Sequence, residues 1–256
     1  MRMDSDTALR IGHRVIHLEQ VTSTQERAWQ EIDHPRAAGT VIRADVQTHG
    51  RGRHGRLWLS PSGQCLMFSV ILKPPAALDR PVILTLLGAV AICEAVFIRT
   101  QLQTTIKWPN DIFIRGRKIA GLLVERSPRG TVIGMGLNVS IPAAYFDEHA
   151  LHQAGSLAMF TEQPVDADAL FTQLLQSIND TYADVVQGNV ADLEARWRFH
   201  SALLGRAVVV QTMQQSWQGR LVELSLQEVV LQLADGSIQR LAPEAILQMQ
   251  AESSVA

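Results

Sequence analysis

The run PVILTLLGAVAICEAVF, from Pro81 to Phe97, is apolar on nearly every face. A helix of that kind packs inside a core, and proline suits its first turn. The chain must therefore supply enough apolar material to bury it. With 256 residues, 46% of them apolar, it does so, as one large domain or one large and one small. The most apolar stretch, Val82 to Cys93, is shorter than the ~20 residues that span a bilayer. The opening MRMDSDTALR carries acids and lacks the apolar stretch of a signal peptide. A soluble cytoplasmic protein is expected, with Cys65 and Cys93 as buried thiols.

Short strands are expected at Val41–Ala44, Cys65–Leu72, Thr104–Trp108, Asp111–Ile114, Ile119–Glu125 and Thr131–Val139, with turns at Arg115-Gly116 and Pro128-Arg129-Gly130. Asp166–Val186 and Ala191–Leu204 carry helical periodicity, the second stopped by Gly205. After Gly205 the texture changes to short strands with a tight turn at Asp235-Gly236. The fold class is α/β (α+β). A mixed sheet with packed helices fills residues 1–204, and a small barrel-like β unit fills residues 205–256. The terminal AESSVA reads as a frayed end.

The segment Gln47-Thr48-His49-Gly50-Arg51-Gly52-Arg53-His54-Gly55-Arg56-Leu57-Trp58 alternates glycine with arginine. Glycine lets backbone approach a ligand, and guanidinium forks hold carboxylate or phosphate oxygens. The pattern of a P-loop is absent. Gly/Arg alternation by itself is equally compatible with a solvated turn or an RGG-like nucleic-acid contact. Trp58 fits an adenine face and a core position about equally well.

Further on, Lys107-Trp108-Pro109-Asn110-Asp111 puts Asn110 and Asp111 at a strand corner. Asp111 is either a hard oxygen donor for Mg²⁺ or part of an ordinary Asn-Asp turn. Strand alternation places Lys118 on the face of Ala120, Leu122 and Val124, at the rim of a buried cavity. There it needs an anionic partner, unless it is a solvated hairpin lysine. Gly134 and Gly136 clear one face of a strand for a ligand or mark a bend. Asn138 can both give and accept hydrogen bonds, as adenine requires. His13/His17 and His149/His152 are spaced as on helices, without an obvious third metal ligand. Net charge is −2, and basic residues outside 51–56 and 115–118 are scattered, which argues against a broad nucleic-acid face.

Taken in order, Ser23-Thr24, the GRGRxGRxW loop, KWPND, Lys118-x-Ala120-Gly121 and Gly134-x-Gly136-x-Asn138 resemble the biotin protein ligase family from about residue 15 to 140. Gln25 stands where that family usually has Asn, His49 where it has a small residue, and Cys65 where Asn is common. Only about 22 residues precede Ser23, so the resemblance is to the monofunctional type without a DNA-binding domain. The C-terminal unit resembles that family's SH3-like cap.

The resemblance implies an ATP-dependent biotin–[acetyl-CoA-carboxylase] ligase. It would use ATP, Mg²⁺ and biotin, with a biotin carboxyl carrier protein as partner. Biotin contacts carry over to Ser23, Thr24, Gln25, Gln47, Arg51, Gly52, Arg53, Lys118, Gly134 and Gly136. ATP contacts carry over to Arg53, Arg56, Trp58, Asn110, Asp111 and Asn138, with Asp111 as the Mg²⁺ contact. Lys118 and Arg53 are the expected catalytic cations. Lipoate ligases share the adenylate chemistry, but the GRGRxGRxW loop points to biotin.

Overall fold

A computed structural model describes residues 9–252, except for the side chain of His54. Most of MRMDSDTALR and the last four residues of AESSVA lie outside the described residues. Seven strands form a mixed sheet: β1 (Arg14–Val21), β2 (Thr40–Gln47), β3 (Cys65–Leu72), β4 (Thr105–Lys107), β5 (Asp111–Ile114), β6 (Arg117–Ser127) and β7 (Gly130–Asn138). Their order is β1-β2-β3-β7-β6-β5-β4, with β1 and β2 parallel and every other neighbour antiparallel. At the β5–β6 hairpin Arg115 and Gly116 have φ of 46° and 80°, the left-handed pair that a two-residue turn between twisted strands demands.

The interior strand β3 is buried along its whole length, and its two sets of side chains go to different places. Leu66, Phe68, Val70 and Leu72 join the main core. That core includes α2 (Pro81–Thr100) and α4 (Ala167–Val186). On the other face Ile71 packs with Ala28 and Ile32 from helix α1 (Thr24–Glu31) and its end. Cys65 and Met67 pack with Ile141 and Phe146 of the segment around α3 (Ala143–Glu148). Ser69 lies between these two groups, and the cleft opens over this face of β3 and β7.

α2 begins with Pro81 at its first position, as the sequence suggests. Its 20 residues make it long and apolar enough to cross a membrane, unlike the shorter stretch from Val82 to Cys93. Most of that length is buried among the protein's own residues. Cys93 and Cys65 are also buried, and burial pushes both thiols up to about 12. α4 starts after Asp166, whose carboxylate accepts from the backbone N–H groups of Asp168 and Ala169. α5 (Val190–Ser201) ends three residues before Leu204, capped by Ala202, which takes φ of 50°. β1 and α1 escape sequence reading. β1 is an edge strand with exposed His17 and Glu19, and α1 carries mainly polar residues.

Near the end of α5, His200 is half-buried, and its Nδ1 lacks a hydrogen-bond partner among the described residues. Burial holds its pKa below the usual imidazole value, against an opposing pull from the Thr104 backbone. A base whose folded pKa is depressed contributes stability above the unfolded value, near ~6.5. That contribution is lost as pH falls through it, because the unfolded chain binds the proton first. His200→Gln should therefore flatten the fall in melting temperature between about pH 7 and pH 5. Parallel wild-type and variant profiles would sink this assignment.

The second sheet is antiparallel: β8 (Ala207–Thr212), β9 (Ser216–Leu224), β10 (Val229–Gln232), β11 (Ile238–Leu241) and β12 (Ile246–Ala251), in the order β11-β10-β9-β8-β12. The expected Asp235-Gly236 turn joins β10 to β11, with Gly236 at φ 83°. This sheet is fastened to the first at named points. Trp108 Nε1 donates to the Ile246 carbonyl at 3.1 Å, and Trp108 bridges to Met249 of β12. Arg198 of α5 donates to the Leu224 carbonyl at 2.9 Å, and Glu194 accepts from the Leu226 N–H at 2.7 Å. Trp108 also packs on Trp197, with ring centroids 5.4 Å apart. The apolar core is continuous from α2 through to Val208, Leu221 and Met249.

Candidate functional site

A cavity of about 860 Å³ lies over β6 and β7, closed by the glycine loop on one side and touched by β8 and the start of β12 on another. The loop is folded on itself. Gly52 N–H donates to the Arg56 carbonyl at 2.8 Å, and Trp58 N–H to the Gly50 carbonyl at 2.9 Å. Arg51 bridges to Leu57, and Arg53 opens a single 3-10 turn. Arg51, Gly52, Arg53, Arg56, Leu57 and Trp58 all reach the cavity wall.

One end of the cavity is polar. The Gln47 Oε1, at the end of β2, accepts from Thr24 N–H at 2.7 Å and from its hydroxyl at 3.1 Å. Ser69 Oγ lies 2.9 Å from Thr24 Oγ1 and 3.0 Å from Gln25 Oε1. Gln25 Nε2 donates to the Val132 carbonyl at 3.1 Å. Ser23 is 1% exposed, and its hydroxyl on the cavity wall has no hydrogen-bond partner among the described residues. A buried hydroxyl without a partner costs about 1–3 kcal/mol unless a ligand or water meets it.

The other end is cationic. Lys118 Nζ stands 2.7 Å from Asp111 Oδ1, the anionic partner that its position requires. Arg53 donates to Asn110 Oδ1 at 3.1 Å, and Asn110 Nδ2 donates to the Leu122 carbonyl at 2.8 Å. Burial lowers the pKa of the Arg53 guanidinium, while Asp111 works against that shift. Lys107 lines the same wall. Asp111 is the one carboxylate among the described residues lining the cavity, and these residues hold no cluster of three metal-ligating side chains.

Two expectations change. Lys118 does not share the face of Ala120 and Leu122. The β5–β6 register shifts so that Ile112 faces Ala120 while Phe113 faces Lys118, which makes Ile119 an extra residue. This bulge turns Lys118 to the side of Gly121, where a Cβ would stand 3.3 Å from the ammonium. The glycines of β7 are covered by side chains. A Cβ on Gly136 would lie 2.5 Å from the Trp58 indole, and one on Gly134 would lie 2.6 Å from Gln25 Oε1. Gly121 and Gly136 are paired across β6 and β7, and together they make the shallow bed on which that indole sits.

The cavity therefore gathers Ser23, Gln25, Gln47, Arg51, Gly52, Arg53, Arg56, Trp58, Asn110, Asp111, Lys118, Gly134 and Gly136. Thr24 and Asn138 are buried behind it, and neither lines the wall. Asn138 instead donates to the Gly155 carbonyl at 2.9 Å, and Gly155 N–H donates to the Lys118 carbonyl at 2.9 Å. The residue thus braces the segment that clamps the Lys118 backbone. Sequence reading missed the wall formed by Ala150–Ala154, and also Gln211 and Gln248 from the second sheet. None of these carries a motif. Of the paired histidines, His17 is on β1 beside Asp45, and His152 is beside Asp147.

A mixed sheet thus carries an arginine-glycine loop over an amide-lined cleft. Residues 17–141 match the Biotin/lipoate A/B protein ligase family. A bifunctional ligase/repressor BirA of Bacillus spizizenii is 30% identical over 226 residues, covering 86% of this chain and 70% of that protein. A biotin–[acetyl-CoA-carboxylase] ligase of Mycobacterium tuberculosis is 32% identical over 182 residues, covering 68% of this chain and 65% of that protein. The biotin protein ligase of Aquifex aeolicus, solved with biotin and ATP, superposes with a TM-score of 0.81 at 27% identity. The match covers 94% of this chain and 100% of that one. The chain belongs to the biotin protein ligase family.

Proposed function

We propose that this protein adenylates biotin with ATP and transfers the biotinyl group to a lysine of the biotin carboxyl carrier protein of acetyl-CoA carboxylase. The observation that carries this reading is one cleft with two chemically distinct ends. The unpaired Ser23 hydroxyl and the Gln25 and Gln47 amides suit a polar, uncharged ring. Lys118, Arg53, Arg56 and Lys107 suit a carboxylate and a triphosphate. Membership of the family supports the same reading.

In the first step a biotin carboxylate oxygen attacks the α-phosphorus of ATP, and pyrophosphate leaves. Two anions must approach, and their repulsion is the obstacle. Lys118 and Arg53 would offset that charge, with Lys118 bridging carboxylate and α-phosphate as the Asp111 pairing loosens. Trp58 and Asn110 would hold the nucleotide. Asp111 fits a Mg²⁺ that arrives with ATP, since that ion usually takes one or two carboxylates plus phosphate oxygens and water. Bound there, Mg²⁺ would neutralise phosphate charge. In the second step the acceptor amine attacks the acyl carbonyl and AMP departs. The loop over the cleft would shield the mixed anhydride from water until then. The division at residue 205 into a catalytic part and a small cap belongs to the same proposal.

The test is incubation with biotin, Mg²⁺ and α-labelled ATP, with chromatography of the nucleotide products. Biotin-dependent biotinyl-AMP and pyrophosphate are expected, with lipoate as the comparison acid. Adenylate formed from lipoate but not biotin would move the protein to the lipoate side of the family. No adenylate from either acid, with folded protein, would sink the proposal.

A further inference from the structure

We infer that Glu125 is a positioning residue for the glycine loop, and that Arg51 acts as the other half of a clasp rather than as a charge on the substrate. This rests on the ligase reading for its kinetic consequences but not for its geometry.

Glu125 lies on β6 and is not among the residues that line the cavity. Both of its oxygens are engaged. Oε2 accepts from the Trp29 indole N–H of α1 at 2.8 Å, and Oε1 accepts from Arg51 Nη2 at 2.9 Å. One carboxylate therefore joins three parts of the site: the helix carrying Thr24 and Gln25, the strand carrying Lys118 and Gly121, and the first arginine of the loop. The indole matters because it has only one donor and a ring with few rotamers. It fixes the carboxylate orientation before Arg51 arrives. Within the loop the remaining bonds are internal, from Gly52 to Arg56 and from Trp58 to Gly50. Among the described residues, the loop's side-chain hydrogen bonds to the sheet region are Arg51 to Glu125 and Arg53 to Asn110, beside the packing of the Trp58 indole on Gly121 and Gly136.

These two ties differ in kind. Arg53 meets a neutral amide oxygen and keeps its full charge for an anion. Arg51 meets a carboxylate, so its charge is already neutralised and little remains for a phosphate. The cations left to the substrate are Arg53, Arg56 and Lys107, joined by Lys118 when its pairing with Asp111, which unlike Glu125 lies on the cavity wall, gives way to the ligand. The exposed Arg51 side chain then serves to set where Gly52 and Arg53 stand over the cleft.

The experiment is a double-mutant cycle on the full chain with Arg51→Met, Glu125→Gln and the pair. Glutamine keeps an acceptor for the Trp29 N–H and removes only the charge facing Arg51. Two quantities are read. One is the initial rate of tryptic cleavage after Arg53 and Arg56 without ligand. The other is KM and kcat for biotin-dependent pyrophosphate release. Each single change is expected to speed cleavage roughly three- to fivefold, the scale of a partly exposed ion pair, and the double no further. KM for biotin should rise by a similar factor in all three, with kcat within about twofold and melting temperatures unchanged. Arg51→Met affecting the loop or catalysis while Glu125→Gln does not, or the double variant multiplying the singles, would overturn the clasp. A wild-type chain that makes no adenylate overturns the ligase reading instead, and the cleavage cycle then decides the clasp by itself.

Discussion

Lys118→Ala should leave a folded protein whose rate of biotinyl-adenylate formation falls by ~10²–10³, the ~3–4 kcal/mol typical of losing one preorganised donor at developing charge. The physical case is local. Lys118 is held from two sides, by Asp111 at its ammonium and by Gln153 and Gly155 at its backbone. Its ammonium also lies 5.7 Å from the Trp58 ring centroid. The backbone clamps survive truncation, so the site keeps its shape. The Asp111 pair is partly exposed, so its loss costs stability no more than about 1 kcal/mol. Truncation also leaves the Asp111 carboxylate without its cation, which repels an incoming phosphate. Lys118→Arg should recover little, because a planar fork does not reproduce a compact ammonium beside Gly121. The measurement is a single-turnover assay of adenylate, with thermal melting as the control for folding. Near wild-type single-turnover rates in Lys118→Ala would remove lysine from the mechanism and leave Arg53 as the leading cation.

Trp108→Ala is expected to cost ~3–5 kcal/mol, the range for removing a large buried aromatic side chain. The melting temperature should drop by roughly 10 °C. The indole is 5% exposed, lies against Trp197, and supplies the N–H that the Ile246 carbonyl accepts. Because it joins the two sheets, the loss should be uneven. Residues after 205 should become cleavable by protease before the seven-stranded sheet does. Gln211 and Gln248 reach the cavity from that second sheet, so adenylation should weaken even below the transition. Calorimetry together with limited proteolysis at several temperatures checks both points. A variant that melts in one transition with no early C-terminal cleavage would argue that the chain past residue 205 is not a separable cap.

How much of this was legible beforehand follows from where each signal is local. The α2 helix, the strands β3 to β7 and the Arg115-Gly116 turn are written in consecutive residues, through proline, glycine and apolar runs. The loop and the KWPND segment carry charge and glycine at fixed spacing, so their residues could be named before their meeting place was known. β1 and α1 were not legible, because one is a polar edge strand and the other a polar helix, and each is defined by its partner. The side of Lys118 was not legible either. It depends on one extra residue at Ile119, and that bulge is set by pairing with β5 rather than by anything within β6. For Asn138 the donor and acceptor of an amide are plain from its residue type, whereas its neighbour, the Gly155 carbonyl, is visible only in the fold. Glu125 sits in an ordinary strand sequence, and only the approach of Trp29 and Arg51 gives it meaning.

The two-sided character of β3 has a practical consequence for altering this protein. Leu66, Phe68, Val70 and Leu72 point into the apolar core, so replacing them changes how much protein accumulates in folded form. Ser69 and Met67, on the reverse side, touch Gln25, Thr24 and Gln47, the amides and hydroxyl at the polar end of the cleft. Met67 is also part of the apolar cluster with Ile141 and Phe146, so varying Ser69 together with Gln25 is the change expected to alter which acids are accepted without opening a core. Of the eight positions of β3, Ser69 alone lies outside the apolar clusters, so selection for a new substrate meets selection for robustness everywhere else on the strand.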